Sequence, residues 1–191
     1  MSPRVSGYER RPNDLYETPE WVTEALLPHV PARVRHVWEP SAGGGKIVRA
    51  LRGFNLTVTE SDVTEGDDFL QFDTSPTSDA IITNPPYGLA QEFIENALTL
   101  MRPVDGFVAM LLRTDYDHAK TRQHLFGFPF AKKLVLTKRI KWFEGTTGSP
   151  SFNHAWFIWD WLHEGAPIIA YGPTAHRNDD RTERSPTAEV A

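Results

Sequence analysis

The stretch Val34-Arg35-His36-Val37-Trp38-Glu39-Pro40-Ser41-Ala42-Gly43-Gly44-Gly45 opens on an apolar run and breaks into a glycine-rich turn. Val34 to Trp38 predicts a short strand, and Ile47, Val48 and Leu51 predict a helix directly after the turn. Gly43 and Gly45 carry no Cβ, so the backbone there can come close to a ligand. A dinucleotide fingerprint would need a further glycine at position 48, where Val48 stands. A phosphate-cradling loop would need glycine at 40 and a hydroxyl at 47, where the chain has Pro40 and Ile47. Phosphate is therefore not the indicated ligand, and Glu39 at the strand end suits a cationic group instead. Taken alone, the segment also fits a plain strand-to-helix turn.

Working outward, strands and helices alternate. Thr18-Pro19 predicts a capped helix start, with Val22, Ala25 and Leu26 as its apolar face and Pro28 as its end. Leu56 and Val58 predict a second strand closing near Glu60-Ser61-Asp62, and Ala80 to Thr83 a buried one that stops at Asn84. Leu89, Phe93, Ala97 and Leu100 recur at helical spacing, Gly106 to Leu112 is a further strand, and His118 to Phe126 predicts a helix closed by Gly127. Leu134 to Thr137 and Ala155 to Trp161 are the last expected strands. The pattern predicts an α/β, three-layer sheet covered on both faces, with ligands at the carboxyl ends of its strands. Only 18 residues, Ser61 to Ser78, separate the second strand from the Ala80 strand, so that region is expected to be abbreviated.

Composition agrees with one domain. The chain has 191 residues, 40% hydrophobic, with six Trp and eleven Phe, enough for a substantial core. Residues 1–13 read as a flexible arm, 14–171 as the domain, and 172–191 as a disordered polar tail. With no cysteine, a disulfide scaffold, a thiolate metal site and a cysteine nucleophile are excluded. No apolar run approaches membrane-spanning length and no secretory leader is visible, so an intracellular soluble protein is expected. The net charge of −5 argues against a simple nucleic-acid coat but not against an enzyme with a local basic patch.

Two acidic segments fall at strand ends. Glu60 and Asp62 could accept hydrogen bonds from a ribose diol or be solvated loop charges. Asp68-Phe69 could set a carboxylate and an aromatic against a purine, or be a surface turn followed by a core ring. Asn84-Pro85-Pro86-Tyr87 is more informative, because four specified residues recur by chance in roughly one chain per thousand. The prolines stiffen the backbone, so the Pro85 carbonyl and the Asn84 side-chain oxygen can form a fixed pair of acceptors for an NH₂ group. Tyr87 offers a face to a flat ring. The alternative is a rigid proline turn.

Glu39-Pro40-Ser41-Ala42-Gly43-Gly44-Gly45 followed by Asn84-Pro85-Pro86-Tyr87 resembles the Rossmann-like S-adenosylmethionine-dependent amino-methyltransferases. Within that group the chain is most similar to DNA adenine-N6 methyltransferases, in particular the small phage-type orphan enzymes. The resemblance covers Tyr16 to about Trp161. It implies S-adenosyl-L-methionine as cofactor, adenine-containing DNA as partner, and the cytoplasm of a bacterial or phage-infected cell as location. It implies cofactor contacts from Tyr16, Thr18, Pro19, Glu39, Pro40, Ser41, Gly43, Gly45 and Asn84. Asp62 would take the ribose, with Glu60 as its rival, and Asp68 and Phe69 the cofactor adenine. The catalytic segment would be Asn84, Pro85, Pro86 and Tyr87, with Tyr87 and Phe143 stacking on the base. Trp142 and Phe143 lie in a stretch, Arg139 to Gly145, that resembles the family's loop beside the target.

Lys132, Lys133, Lys138, Arg139 and Lys141 form a basic run, extended by Arg113 and Lys120, that reads either as a phosphate-contact surface or as a lysine-guarded strand edge. Arg113, Lys138, Arg139 and Lys141 are the candidate nucleic-acid contacts. The seven histidines lack metal spacing and are expected on the surface, while Trp156, Trp159 and Trp161 are expected in the core. The same motif also fits RNA adenine-N6 methylation, protein glutamine methylation or a non-catalytic cofactor-binding protein.

Overall fold

A computed structural model describes residues 17–142 and 152–173. Seven strands, β1 His36–Glu39, β2 Thr57–Glu60, β3 Ala80–Thr83, β4 Phe107–Arg113, β5 Phe130–Leu136, β6 His154–Asp160 and β7 Ile168–Gly172, form one sheet. Their order is β2-β1-β3-β4-β6-β5-β7. β1 pairs in parallel with both β2 and β3, and β3 with β4; β6 runs antiparallel between β4 and β5, and β7 returns parallel to β5. The helices are α1 Glu20–Leu26, α2 Lys46–Gly53 and α3 Ala90–Met101.

Two cores cover the two faces. Alternation along each strand sends Val37, Ile82, Leu111, Trp156 and Ile158 to the α1–α2 side. Trp38, Ile81, Met110, Phe157 and Trp159 go to the α3 side. Central strands buried on both faces must be largely apolar, as β3 up to its terminal Thr83 and most of β4 and β6 are. The indole nitrogens of Trp156 and Trp159 donate to the carbonyls of Val22 and Leu125, so both rings are buried with their polar atoms satisfied. The expected core role holds for them, while Trp161 is only partly buried.

The expected abbreviation is present: single 3-10 turns, Val63–Glu65 and Phe69–Gln71, replace a helix and strand between β2 and β3. Other expectations need correcting. Thr18 is not the cap of α1; Pro19 holds that position with no side-chain cap, and Thr18 is buried. Residues Lys120–Phe126 form a 3-10 stretch rather than an α-helix, since Leu125 alone among them is buried and no apolar face imposes an α pitch. β5 begins at Phe130, earlier than expected, because Lys132 and Lys133 mask the apolar pattern. It lies between β6 and β7, so its lysines guard no edge. β7 was not expected at all. Its run Ile168-Ile169-Ala170 has no strand alternation, and its partner β5 is distant in sequence.

Candidate active site

The chain leaves β1 through α2 to reach β2 on one side, then crosses to β3 on the other side of β1. Such a reversal opens a crevice at the carboxyl ends of the diverging strands. Glu39 ends β1, Glu60 ends β2 directly opposite it in register, and Asn84 follows the last residue of β3. The sequence-derived residues of the Gly-rich turn, the acidic pair and the proline segment are thus brought to one end of one sheet.

The turn is held by its neighbours. The Ala42 amide donates to the Ser61 carbonyl at 3.1 Å and the Ser61 amide to the Glu39 carbonyl at 3.0 Å. Gly43 and Gly45 have φ of 49° and 73°, a region costly for side-chain-bearing residues. Gly44 matters differently, since a Cβ there would lie 2.0 Å from Glu17 Oε1. Glu17, absent from the sequence-derived set, lies against the turn and pairs with Lys46 at 3.0 Å. The segment before α1 is therefore packed on the Gly-rich turn, with Thr18 buried and Pro19 at the cap.

Asp62 is buried and its carboxylate is already engaged: Oδ2 accepts from the Gly43 amide at 2.8 Å, and Oδ1 from the Thr64 amide and hydroxyl at 2.9 and 2.7 Å. Burial pushes this carboxyl up, but the Thr64 and Gly43 hydrogen bonds prevail and hold it below its ordinary value. Glu60 is exposed and pairs with Arg52 at 3.0 Å. Asp68 caps the second 3-10 turn through the Leu70 amide. The Phe69 ring is buried edge-on to Trp38, at 5.1 Å between centroids, and against Phe93, so the ring belongs to the core, and the Phe69 carbonyl accepts from Asn96 Nδ2 at 2.8 Å.

Glu39 has zero exposure. Its Oε1 accepts from the Ser41 amide at 3.0 Å, the Thr83 hydroxyl acts on the same buried carboxyl, and the buried Thr18 hydroxyl has no partner among the described residues. Burial pushes the Glu39 carboxyl up to about 8, against the lowering pull of Thr83 and the Ser41 amide. With its value near 8 the ligand-free acid keeps its proton, and its charged form is favoured only when a cation lies against it. An ammonium group fits that demand.

On the other side of the crevice Pro85 is buried and Tyr87 half-buried. The Tyr87 hydroxyl lies 2.9 Å from His154 Nε2, with the two rings at 25°. Trp142 meets His154 edge-on at 5.2 Å. His154 is 2% exposed, so the expectation of surface histidines fails for the one beside the proposed target pocket. Nothing in its spacing marked it; the antiparallel return of β6 brings it opposite Arg113 at the end of β4. Arg113 is bidentate to Asp115 and stacks on Phe152.

The basic run divides. Lys133 is turned inward to Asp117 at 2.7 Å and the Thr114 carbonyl, and Lys132 reaches His29, so neither is a ready phosphate contact. Lys138 lies over the Trp21 ring, Arg139 donates to Asn153, and Lys141 is exposed. Tyr16, Phe143 and the rest of 143–151 lie outside the described residues. Among the described residues no group of three or more acidic or histidine side chains could hold a metal ion, and no helix is long and apolar enough to cross a membrane.

No family model matches the chain, and no curated protein matches it. Solved structures do. A Listeria monocytogenes protein assigned to the class I S-adenosylmethionine-dependent methyltransferases shares 13% identity over 76% of this chain and 61% of its own, at a TM-score of 0.56. The modification subunit assigned to a type I restriction enzyme of Vibrio vulnificus gives 13%, 85%, 48% and 0.52. The methyltransferase subunit of a type I restriction-modification system from Streptococcus thermophilus gives 15%, 76%, 45% and 0.50. The chain spans between 45% and 61% of the length of these proteins. Its fold is that of the Rossmann-like class I methyltransferases.

Proposed function

We propose that this chain is an S-adenosylmethionine-dependent methyltransferase acting on the N6 amino group of adenine in DNA. The observation that carries the reading is the rigid Asn84-Pro85-Pro86-Tyr87 segment at the end of β3, beside a Gly-rich turn that follows the fully buried Glu39. The likeness to two restriction-modification subunits supports DNA as the substrate class.

The cofactor, when bound, supplies an electrophilic methyl group on a sulfonium. Glu39, with Thr18 and Thr83 beside the strand ends, would hold its ammonium end, and Gly43 and Gly45 would let the backbone approach. Glu60, exposed at the end of β2 with a surface ion pair to Arg52, would take the ribose more readily than Asp62, whose buried carboxylate braces Gly43 and Thr64. Asp68 would meet the adenine ring. Asn84 and the Pro85 carbonyl would accept hydrogen bonds from the target NH₂. An adenine N6 lone pair is delocalised into its ring, and two acceptors on its hydrogens favour the pyramidal nitrogen needed in the transition state. Positioning in line with the methyl supplies much of the remaining rate. A base in duplex DNA reaches this crevice only when flipped, with Tyr87 offering its stacking face. Arg113, Arg139 and Lys141, with Lys138 and Trp142, flank that side.

The test is methyl transfer from labelled cofactor to unmethylated duplex DNA, single-stranded DNA, RNA and a protein extract, followed by identification of the modified nucleoside or amino acid. N6-methyladenine in DNA is expected, with Asn84→Ala lowering turnover by about 10²-fold or more while the cofactor still binds. Label in RNA or in protein glutamine would reassign the substrate. Cofactor binding with no transfer would point to a non-catalytic protein.

A further inference from the structure

We infer that His154 is a positioning residue for Tyr87: from the first position of β6, its Nε2 holds the Tyr87 hydroxyl and so fixes the plane against which the flat, amino-bearing substrate stacks. This rests on the proposed methyl-transfer reading, in which Tyr87 faces the target.

The argument begins with the backbone. Pro85 and Pro86 stiffen the chain as far as Tyr87, but its side chain still turns about two torsions. A hydrogen bond at the ring's far end removes that freedom where leverage is greatest, and 2.9 Å to His154 is such a bond. The holder must itself be rigid. His154 sits in β6, paired on one side with Arg113 of β4, and is 2% exposed. Trp142 meets the imidazole at 84°, while the Tyr87 ring lies at 25° to it with centroids 6.3 Å apart, an end-to-end approach spanned by the hydroxyl–Nε2 bond that leaves the Tyr87 faces uncovered by the imidazole.

Filling space does not explain an imidazole here. Its Nδ1 has no hydrogen-bond partner among the described residues, and a buried polar atom in that condition is unfavourable. A phenylalanine would occupy the position without desolvating two ring nitrogens. Among the described residues, the hydrogen bond this side chain makes is the one to Tyr87. Burial, reinforced by the Arg113 charge and opposed by Asp115, lowers the imidazole to about 4. The ring is thus neutral across ordinary pH, and the bond to Tyr87 does not switch with protonation.

The full-length chain carries the test, as wild type, His154→Phe, His154→Gln and Tyr87→Phe. The expected result for His154→Phe is a KM for DNA raised about tenfold, with the KM for the cofactor unchanged. Glutamine keeps an amide within reach of the hydroxyl and should restore most of the loss. Tyr87→Phe removes the same bond from the other side, so it should match His154→Phe, and the double variant should be no worse than either. Independently of activity, the His154 Nε2 resonance in ¹⁵N NMR should shift in Tyr87→Phe. A folded His154→Phe with a wild-type KM would overturn the inference. If His154→Phe fails to fold, a wild-type KM and an unmoved resonance in Tyr87→Phe would do the same. A wild type that transfers methyl to no substrate overturns the underlying reading, and the inference with it. An active wild type with unaltered variants overturns the inference alone. Activity on RNA or protein moves the same KM comparison to that substrate.

Discussion

Glu39 concentrates the chemistry of the site at a single side chain. Its ordinary value lies near 4.5 and burial raises it to about 8, so between those values the folded protein keeps a proton that the unfolded chain gives up. Stability from this group is therefore fully present below about pH 4.5 and lost as pH rises through 8. Glu39→Gln should stabilise the ligand-free protein at pH 8 by about 4 kcal/mol and far less at pH 5, visible as a gap in melting temperature that widens with pH. The same variant should bind the cofactor at least about tenfold more weakly, because a charge-assisted hydrogen bond becomes a neutral one. Binding to the wild type at pH 7 should release a proton, since a facing ammonium favours the carboxylate. Calorimetry in two buffers of different ionisation enthalpy measures that directly, and zero net release would remove Glu39 from the ammonium site.

At the level of the element, the β1–α2 turn separates two uses of glycine. Gly45 needs its left-handed φ of 73°, so Gly45→Ala should cost about 1 kcal/mol in denaturant unfolding. Gly44→Ala meets only the far end of the Glu17 side chain, which can swing away, so its stability cost should stay below about 0.5 kcal/mol while the Lys46–Glu17 pair is lost. The start of β6 provides an acid-sensitive element. His154 is lowered from 6.5 to about 4, so the unfolded chain binds a proton first and stability falls as pH drops through that window. A pH series of melting temperatures should show this decline in the wild type, worth about 3 kcal/mol, and a flatter profile in His154→Phe.

Across the whole molecule, the proposed reading asks a chain of net charge −5 to meet a phosphate backbone through few side chains. Lys141 is exposed, whereas Lys133 is committed to Asp117 and the Phe157 ring. Lys141→Ala should weaken DNA binding and reduce the slope of log affinity against log salt by about 0.9. Lys133→Ala should leave that slope unchanged and instead lower thermal stability, as expected for a cation enclosed in the sheet rather than presented to phosphate. Binding isotherms at several salt concentrations distinguish the two; equal slopes in both variants would dissolve the division of the basic run.

Local pattern was enough for much of this. Apolar runs broken by glycine or proline announced β1, β3 and β4, and helical spacing announced α3, because burial on both faces or on one stripe leaves a periodic trace in the chain. The Gly-rich turn and the Asn84–Tyr87 segment were legible because each is a contiguous run of unusual residues, and the fold brings both to the same end of the sheet. What escaped depends on partners far apart in sequence. β7 exists because β5 offers it an edge, Lys133 turns inward because Asp117 is folded beneath it, and Asp62 is occupied because Gly43 arrives within 2.8 Å. His154 meets Tyr87 across 67 residues only through the reversal of β6. Contacts of that kind leave no periodicity behind, since they are selected by the packing of the sheet rather than by the conformational preferences of neighbouring residues.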